Sequence, residues 1–170
     1  MILFLDISST CTGIVVASKE GKITHHLVTA MWYKKDEPMQ DKCRRLYRAV
    51  INLNDEYNLD KIVFEKYSAN MKRSNGMLVC PMLQGAVLAA TGKLELPYDE
   101  ITPQTWRKNC GIKKRKELGQ SLQWKIPTKE YFDKKMEVPQ KIESNITGKM
   151  RTCPYDVYDA LGICEGYYGR

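Results

Sequence analysis

The chain has 170 residues, 43% apolar and 28% charged, with 27 Lys and Arg against 20 Asp and Glu for a net charge of +7 at pH 7. That length and composition fit a single domain over 1–170, and no apolar run approaches the ~18–20 residues of a bilayer crossing, so neither a disordered nor a membrane-spanning chain is expected. Six cysteines (Cys11, Cys43, Cys80, Cys110, Cys153, Cys164) include no C-x-x-C pair, which argues against a zinc knuckle or a disulfide scaffold. The N-terminus lacks the basic start and long apolar core of a secretion signal, and a reducing cytoplasm is the expected setting.

In chain order, residues 2–6 form a short apolar run closed by Asp6, followed by a polar turn to Gly13 and a second apolar run at 14–17, the pattern of a β-hairpin. Residues 22–29, after the turn at Gly21, read as a third and more exposed strand, so His25 and His26 are expected to face solvent. Cys43, Leu46, Tyr47, Val50 and Ile51 then fall at helical spacing, predicting an amphipathic helix over 39–57 that Asn58 ends. Residues 61–65 repeat the opening pattern, an apolar strand closed by Glu65. Strand, crossover helix and strand imply parallel pairing.

After a polar link at 68–76, residues 77–92 read as an apolar helix with Pro81 in its first turn or at a kink. Its Met, Leu, Val and Ala content exceeds what one core-facing stripe needs, which makes it the candidate subunit interface, with an ordinary buried helix as the alternative. A short strand follows at 98–101, and Thr102-Pro103 opens a capped turn. Residues 113–148 show no sustained period and read as an insertion of short helices and loops. Thr152 is expected to cap a last helix with Pro154 in its first turn, Asp156, Asp159, Ala160 and Ile163 on one face and Val157, Leu161, Cys164 and Tyr168 on the other. The sum is an α/β domain, a mixed sheet covered by helices.

Charge is unevenly placed. Residues 107–151 hold thirteen cations and five anions, a net +8, so the rest of the chain sums to −1. A polyanion, nucleic acid first, is the natural partner for such a stretch, with a solvated lysine-rich face as the alternative. The carboxylates carry a second signal. If Asp6 and Glu65 close adjacent parallel strands they converge at the carboxyl rim, where ligands of α/β sheets gather, and a helix laid across that rim brings Asp156 and Asp159 to the same place. Four such groups stay ionised together only around a cation, and hard oxygen donors favour Mg²⁺ or Mn²⁺. For each acid alone, turn chemistry or complementing the helix dipole is the simpler explanation.

Leu5-Asp-Ile-Ser-Ser-Thr-Cys-Thr-Gly-Ile14, Ile62-Val-Phe-Glu65, Leu83-Gln-Gly-Ala-Val-Leu-Ala-Ala90 and Tyr155-Asp-Val-Tyr-Asp-Ala-Leu161 together resemble, in order and spacing, the RuvC-type Holliday junction resolvases, above all their bacteriophage-encoded branch. The resemblance covers roughly residues 1–112 and 150–168. It implies an RNase H-like fold with a five-stranded mixed sheet flanked by helices, a homodimer, and Mg²⁺-dependent cutting of branched DNA, four-way junctions in particular. Carried onto this chain, it makes Asp6, Glu65, Asp156 and Asp159 the catalytic residues and the ligands of two Mg²⁺ ions, or Mn²⁺, with 5′-phosphate products.

In that family, basic residues ahead of the last helix approach the scissile phosphate; Lys113, Lys114, Arg115 and Lys116 stand at the corresponding place, with Arg107 and Lys108 before them. An aromatic just past the second acid stacks on junction bases there, which points to Tyr67, and Lys72 and Arg73 complete the expected DNA-binding set. Ser8-Ser9-Thr10 replaces the usual small Gly-containing turn, although Gly13 is kept. A phage member would act in the cytoplasm of a bacterial host. Two rivals remain, a ribonuclease H-type nuclease on the same fold and a non-catalytic branched-DNA-binding protein. An actin-like or sugar-kinase ATPase, which opens with a similar hairpin, needs a far longer chain.

Overall fold

In the computed structural model, which describes residues 1–67 and 78–169, Leu3, Phe4 and Leu5 are each at most 1% exposed. Consecutive strand residues point to opposite sheet faces, so burial of all three requires helices on both. The elements are β1 (Ile2–Ile7), β2 (Cys11–Glu20), β3 (Lys22–Trp32), α1 (Met39–Tyr57), β4 (Lys61–Glu65), α2 (Val79–Leu94), β5 (Tyr98–Ile101), α3 (Pro103–Asn109), α4 (Lys125–Lys135), β6 (Lys141–Glu143), β7 (Met150–Thr152) and α5 (Tyr155–Tyr168). The main sheet has the order β3-β2-β1-β4-β5. β2 pairs antiparallel with β1 and β3, while β4 pairs parallel with β1 and β5, giving the expected five-stranded mixed sheet.

Alternation along the strands sorts their side chains into two cores. Phe4, Val15, Ala17 and Val63 pack on one face with Trp106 of α3 and Val157, Ala160, Leu161 and Cys164 of α5. Leu3, Leu5, Ile14, Val16, Ile62 and Phe64 pack on the other with Leu46 and Val50 of α1 and Leu83 and Val87 of α2. Each such side chain, fully buried, is worth about 1.5–3 kcal/mol. α1 ends where Asn58 adopts the left-handed conformation, φ 49°, and its N–H reaches the Asn54 carbonyl at 2.8 Å. α3 begins as the sequence predicts, with Pro103 in its first turn and the Thr102 hydroxyl accepting the Thr105 N–H at 3.2 Å.

α2 buries Leu83, Val87, Ala90 and Thr91 and leaves Leu78, Met82 and Leu88 exposed at 74%, 51% and 37%. Pro81 lies in its first turn, where a missing N–H costs nothing. The stretch 113–148 contains α4, which buries Thr128 and Phe132, and β6, which pairs with β7 beyond it. The last helix departs from expectation at its start. Thr152 pairs with Lys141 in the β6–β7 ribbon and caps nothing; the helix begins at Tyr155 behind Pro154. Both faces of α5 are covered, as its apolar pattern requires. His25 is also corrected: it is half-buried, its Nε2 4.0 Å from Cys164 Sγ, whereas His26 is exposed and bonded to Ser18 Oγ at 2.8 Å. β3 continues alongside α5, which covers its inward-facing positions. All six cysteines are free thiols. No helix among the described residues is long and apolar enough to cross a membrane.

α5 crosses β2 at Gly13, where an added Cβ would lie 1.9 Å from the Asp156 carbonyl oxygen. Gly13→Ala is therefore expected to force the helix off the sheet and to cost at least the ~1–3 kcal/mol typical of overpacking, read as a lower urea midpoint. An unchanged midpoint would show that α5 is free to shift.

Candidate active site

β1 and β4 run parallel with Leu5 beside Phe64, so the next residue on each strand, Asp6 and Glu65, stand side by side at the carboxyl rim. Both continue the Phe4 and Val63 side of the sheet and so face α5. Asp6 also pairs with Gly13 on β2, the glycine over which the first turn of α5 passes. Asp156 and Asp159 arrive by that route. The structure brings all four sequence-predicted acids into electrostatic contact.

Their ionisation shows it. Asp6 is held well above the ordinary carboxylate range, by burial first and then by Asp159, Glu65 and Asp156, with Arg107 opposing. Asp159 is pushed up to about 7, again by burial first, with Arg107 opposing, Glu65 and Asp156 adding to the rise, and Lys125 opposing. Burial also raises Glu65, against the Trp106 hydrogen bond and Arg107. Carboxylates desolvated among like charges resist ionising unless positive charge meets them.

Glu65 is fixed from two sides. Trp106 Nε1–H donates to its Oε2 at 2.8 Å, and Gln84 Nε2 donates to its backbone carbonyl at 2.7 Å. Trp106 is fully buried against α5, where Gly162 makes room: a Cβ there would come within 2.4 Å of the indole. The next residue, Arg107, lies between two rings, its guanidinium 4.6 Å from the Trp106 centroid and 5.0 Å from that of Trp124. Its Nε is buried without a hydrogen-bond partner among the described residues. A stacked guanidinium is held by its faces and keeps in-plane donors available for an anion.

By donor chemistry the four carboxylates fit a hard divalent cation. Among the described residues, no three His, Cys, Asp or Glu side chains are already gathered as a metal-binding group. Of the expected DNA-binding residues, Arg107 stands at the acids, while Lys108, Lys113, Lys114 and Lys116 are exposed on the surface. Arg115 is paired with Glu117 at 3.0 Å and Glu130 at 2.9 Å, so its charge is largely committed within the chain. Tyr67 is half-buried just beyond β4; Lys72 and Arg73 lie outside the described residues. Sequence reasoning missed Trp106, Gln84, Trp124 and Lys125 as parts of the site. Only Lys125 gave a signal, as one cation of the basic segment.

An acid held above its ordinary value destabilises the fold where it is ionised. For Asp159 that penalty is absent below 3.8, grows as pH rises to about 7 and is full above it. In EDTA, Asp159→Asn is expected to melt above wild type at about pH 8 and to lose that advantage by about pH 4, each kcal/mol moving Tm by about 2–4 °C. Equal melting temperatures at the higher pH would mean that the acids do not repel.

No family model matches the chain, and no curated protein matches it in sequence. Solved structures do. Thermus thermophilus RuvC in complex with a Holliday junction substrate superposes with a TM-score of 0.72 at 16% identity, covering 99% of this chain and 92% of that one. The yeast mitochondrial Holliday junction resolvase gives 0.61 at 15%, covering 99% and 77%. Fowlpox virus resolvase, solved with Holliday junction DNA, gives 0.57 at 14%, covering 98% and 97%. With Asp6 and Glu65 closing neighbouring parallel strands and Asp156 and Asp159 on the helix that crosses them, the chain has the RNase H-like fold of the RuvC-type Holliday junction resolvases.

Proposed function

We propose that this protein is a structure-selective endonuclease that resolves Holliday junctions and other branched DNA by paired phosphodiester hydrolysis. One observation carries the reading: Asp6, Glu65, Asp156 and Asp159 meet at the sheet rim although two strands and a helix supply them from far apart in sequence. The similar solved structures include two that hold junction DNA, which supports branched DNA as the substrate. Asp6, which feels all three other acids, would be the central ligand for two Mg²⁺ ions, with Mn²⁺ as the alternative; Glu65 and Asp159 would add ligands on either side, and Asp156 would add a ligand or orient water. Bound there, the metal supplies an activated water and stabilises the leaving 3′-oxygen, so that 5′-phosphates result.

The chain does the positioning. Trp106 donates to Glu65 Oε2 and so fixes the carboxylate at the site. Arg107, fixed by its two indoles, presents its guanidinium to a phosphate beside the acids. Lys125, close enough to lower Asp159, adds positive charge from the start of α4. Lys108, Lys113, Lys114 and Lys116 reach phosphates of the duplex arms without reading bases. Tyr67 is the candidate for stacking on a base at the branch point.

A four-way junction has two-fold symmetry and takes two matched cuts, which a C₂ homodimer delivers. The uncovered side of α2, with Leu78, Met82 and Leu88 exposed beside Gly85 and Ala89, is the surface proposed to meet its symmetry mate. Assignment to the bacteriophage-encoded branch, and action in a host cytoplasm, accompany this reading.

Cleavage of a labelled four-way junction with Mg²⁺ tests the chemistry, with linear duplex and RNA–DNA hybrid alongside. Wild type should cut the junction preferentially, and Asp6→Asn and Glu65→Gln should each lose about 100-fold or more. Preference for the hybrid would make the protein a ribonuclease H-type nuclease. Cleavage untouched by either substitution would remove the acids from catalysis. Sedimentation should give a dimer that Met82→Lys with Leu88→Lys converts to monomer; a monomeric wild type that still makes paired cuts would overturn the symmetry.

A further inference from the structure

A groove of about 810 Å³ adjoins the acids at Asp156, and none of the cations at 107–116 lines it. Among the described residues its positive charge comes from Lys34, Lys35, Lys42 and Arg151, and of these only Arg151 belongs to the stretch that holds the chain's excess basicity. Lys34 and Lys35 are exposed on the link between β3 and α1. Lys42, on the first turn of α1, is only 9% exposed. Ser9 and Thr10, in the turn after β1, complete the wall on that side.

Two buried aromatic rings hold this charge in place. The Lys42 ammonium lies 5.7 Å from the Tyr33 centroid, and the Arg151 guanidinium 5.3 Å from that of Trp32. Trp32 and Tyr33 are each 6% exposed, so their rings serve as platforms for cations and are not open to stack on bases. The one hydrogen bond that Lys42 donates among the described residues is a long one, 3.5 Å to the Ser9 carbonyl, which leaves two of its three donors for a ligand. Glu37, whose carboxylate feels Lys42, is taken by both oxygens on Arg45 at 2.7 and 2.9 Å. None of the four groove cations forms an ion pair with a described residue, whereas Arg115, Lys129 and Lys135 of the basic segment all do. A shielded ammonium without a carboxylate is costly until an anion meets it.

We infer that this groove holds the phosphodiester backbone of the cleaved strand on one side of the scissile bond, gripping successive phosphates without reading sequence. The inference rests on the nuclease reading and extends it. Arg107 and the acids locate the reacting phosphate, and the groove begins at Asp156, so a strand leaving the site into it carries its next phosphates past Arg151 and Lys42 toward Lys34 and Lys35. Phosphate oxygens supply anions to these cations, and the covered Trp32 and Tyr33 rings offer bases no platform to stack on.

The test is binding of a fluorescein-labelled four-way junction by the cleavage-blocked Asp6→Asn protein, followed by anisotropy from about 50 to 200 mM salt. Adding Lys34→Ala and Lys35→Ala, both at exposed positions, should flatten the slope of log K against log salt by roughly 0.9 per lost contact, about 2 in all. The loss should be equal for junctions of unrelated sequence. Arg151→Ala should remove about one further unit, with circular dichroism confirming that each variant is folded. A folded double variant with an unchanged slope would overturn the groove assignment while leaving the nuclease reading intact. A loss confined to one junction sequence would overturn phosphate gripping. Failure of the parent protein to bind branched DNA at all would overturn the nuclease reading and the groove with it.

Discussion

Like charge concentrated at one desolvated rim is the constraint on which this structure turns. Two carboxylates a few ångströms apart repel by several kcal/mol in a partly buried setting, and here four interact. Left to itself, the chain would relieve that repulsion by moving α5 away. It is prevented by packing: Gly13 lets the helix sit directly on β2, and Gly162 lets the Trp106 indole press into its side. Trp106 then serves twice, filling the core and donating to Glu65. The acids are thus held together by apolar contacts that offset the electrostatic cost.

Positive charge is distributed around this rim in two forms. Arg107 is fixed by stacking between indoles, where no acid neutralises it through a hydrogen-bonded pair and its buried Nε has no partner among the described residues. Lys42 and Arg151 are fixed in the same manner, each over a single ring. Aromatic platforms hold a cation in place without cancelling its charge. That differs from Arg115, whose two carboxylate partners leave little for an external anion. Number of cations and available positive charge are therefore separate quantities, and the second depends on which cations have no carboxylate partner.

Much of the fold could be read along the chain. Short continuous apolar runs located β1, β2 and β4, helical spacing located α1, and Asn58 and Thr102-Pro103 marked boundaries through local backbone chemistry. The four acids were also legible, less from any one of them than from their combination, two closing apolar strands and two one turn apart on a helical face, in an order that resembles the RuvC-type resolvases. What could not be read depends on distant partners. Trp106 lies 41 residues from Glu65, and nothing in its neighbourhood reveals that bond. His25 is half-buried because α5, at the far end of the chain, covers β3. Thr152 has the residue type of a helix cap, but pairing with Lys141 claims it for a strand first.

Sequence by itself determined which residues carry charge, the continuous apolar runs that need cover on both faces of the sheet, and the acids that could meet at its rim, since these follow from short-range covalent order. Only the tertiary structure decided which charges stay available. Lys34 and Lys35, in a near-neutral stretch, join Lys42 and Arg151 in one groove, while Arg115, Lys129 and Lys135 of the most basic segment are spent on neighbouring carboxylates. Coulomb interaction depends on distance in space and on burial, and neither is a property of position along a chain.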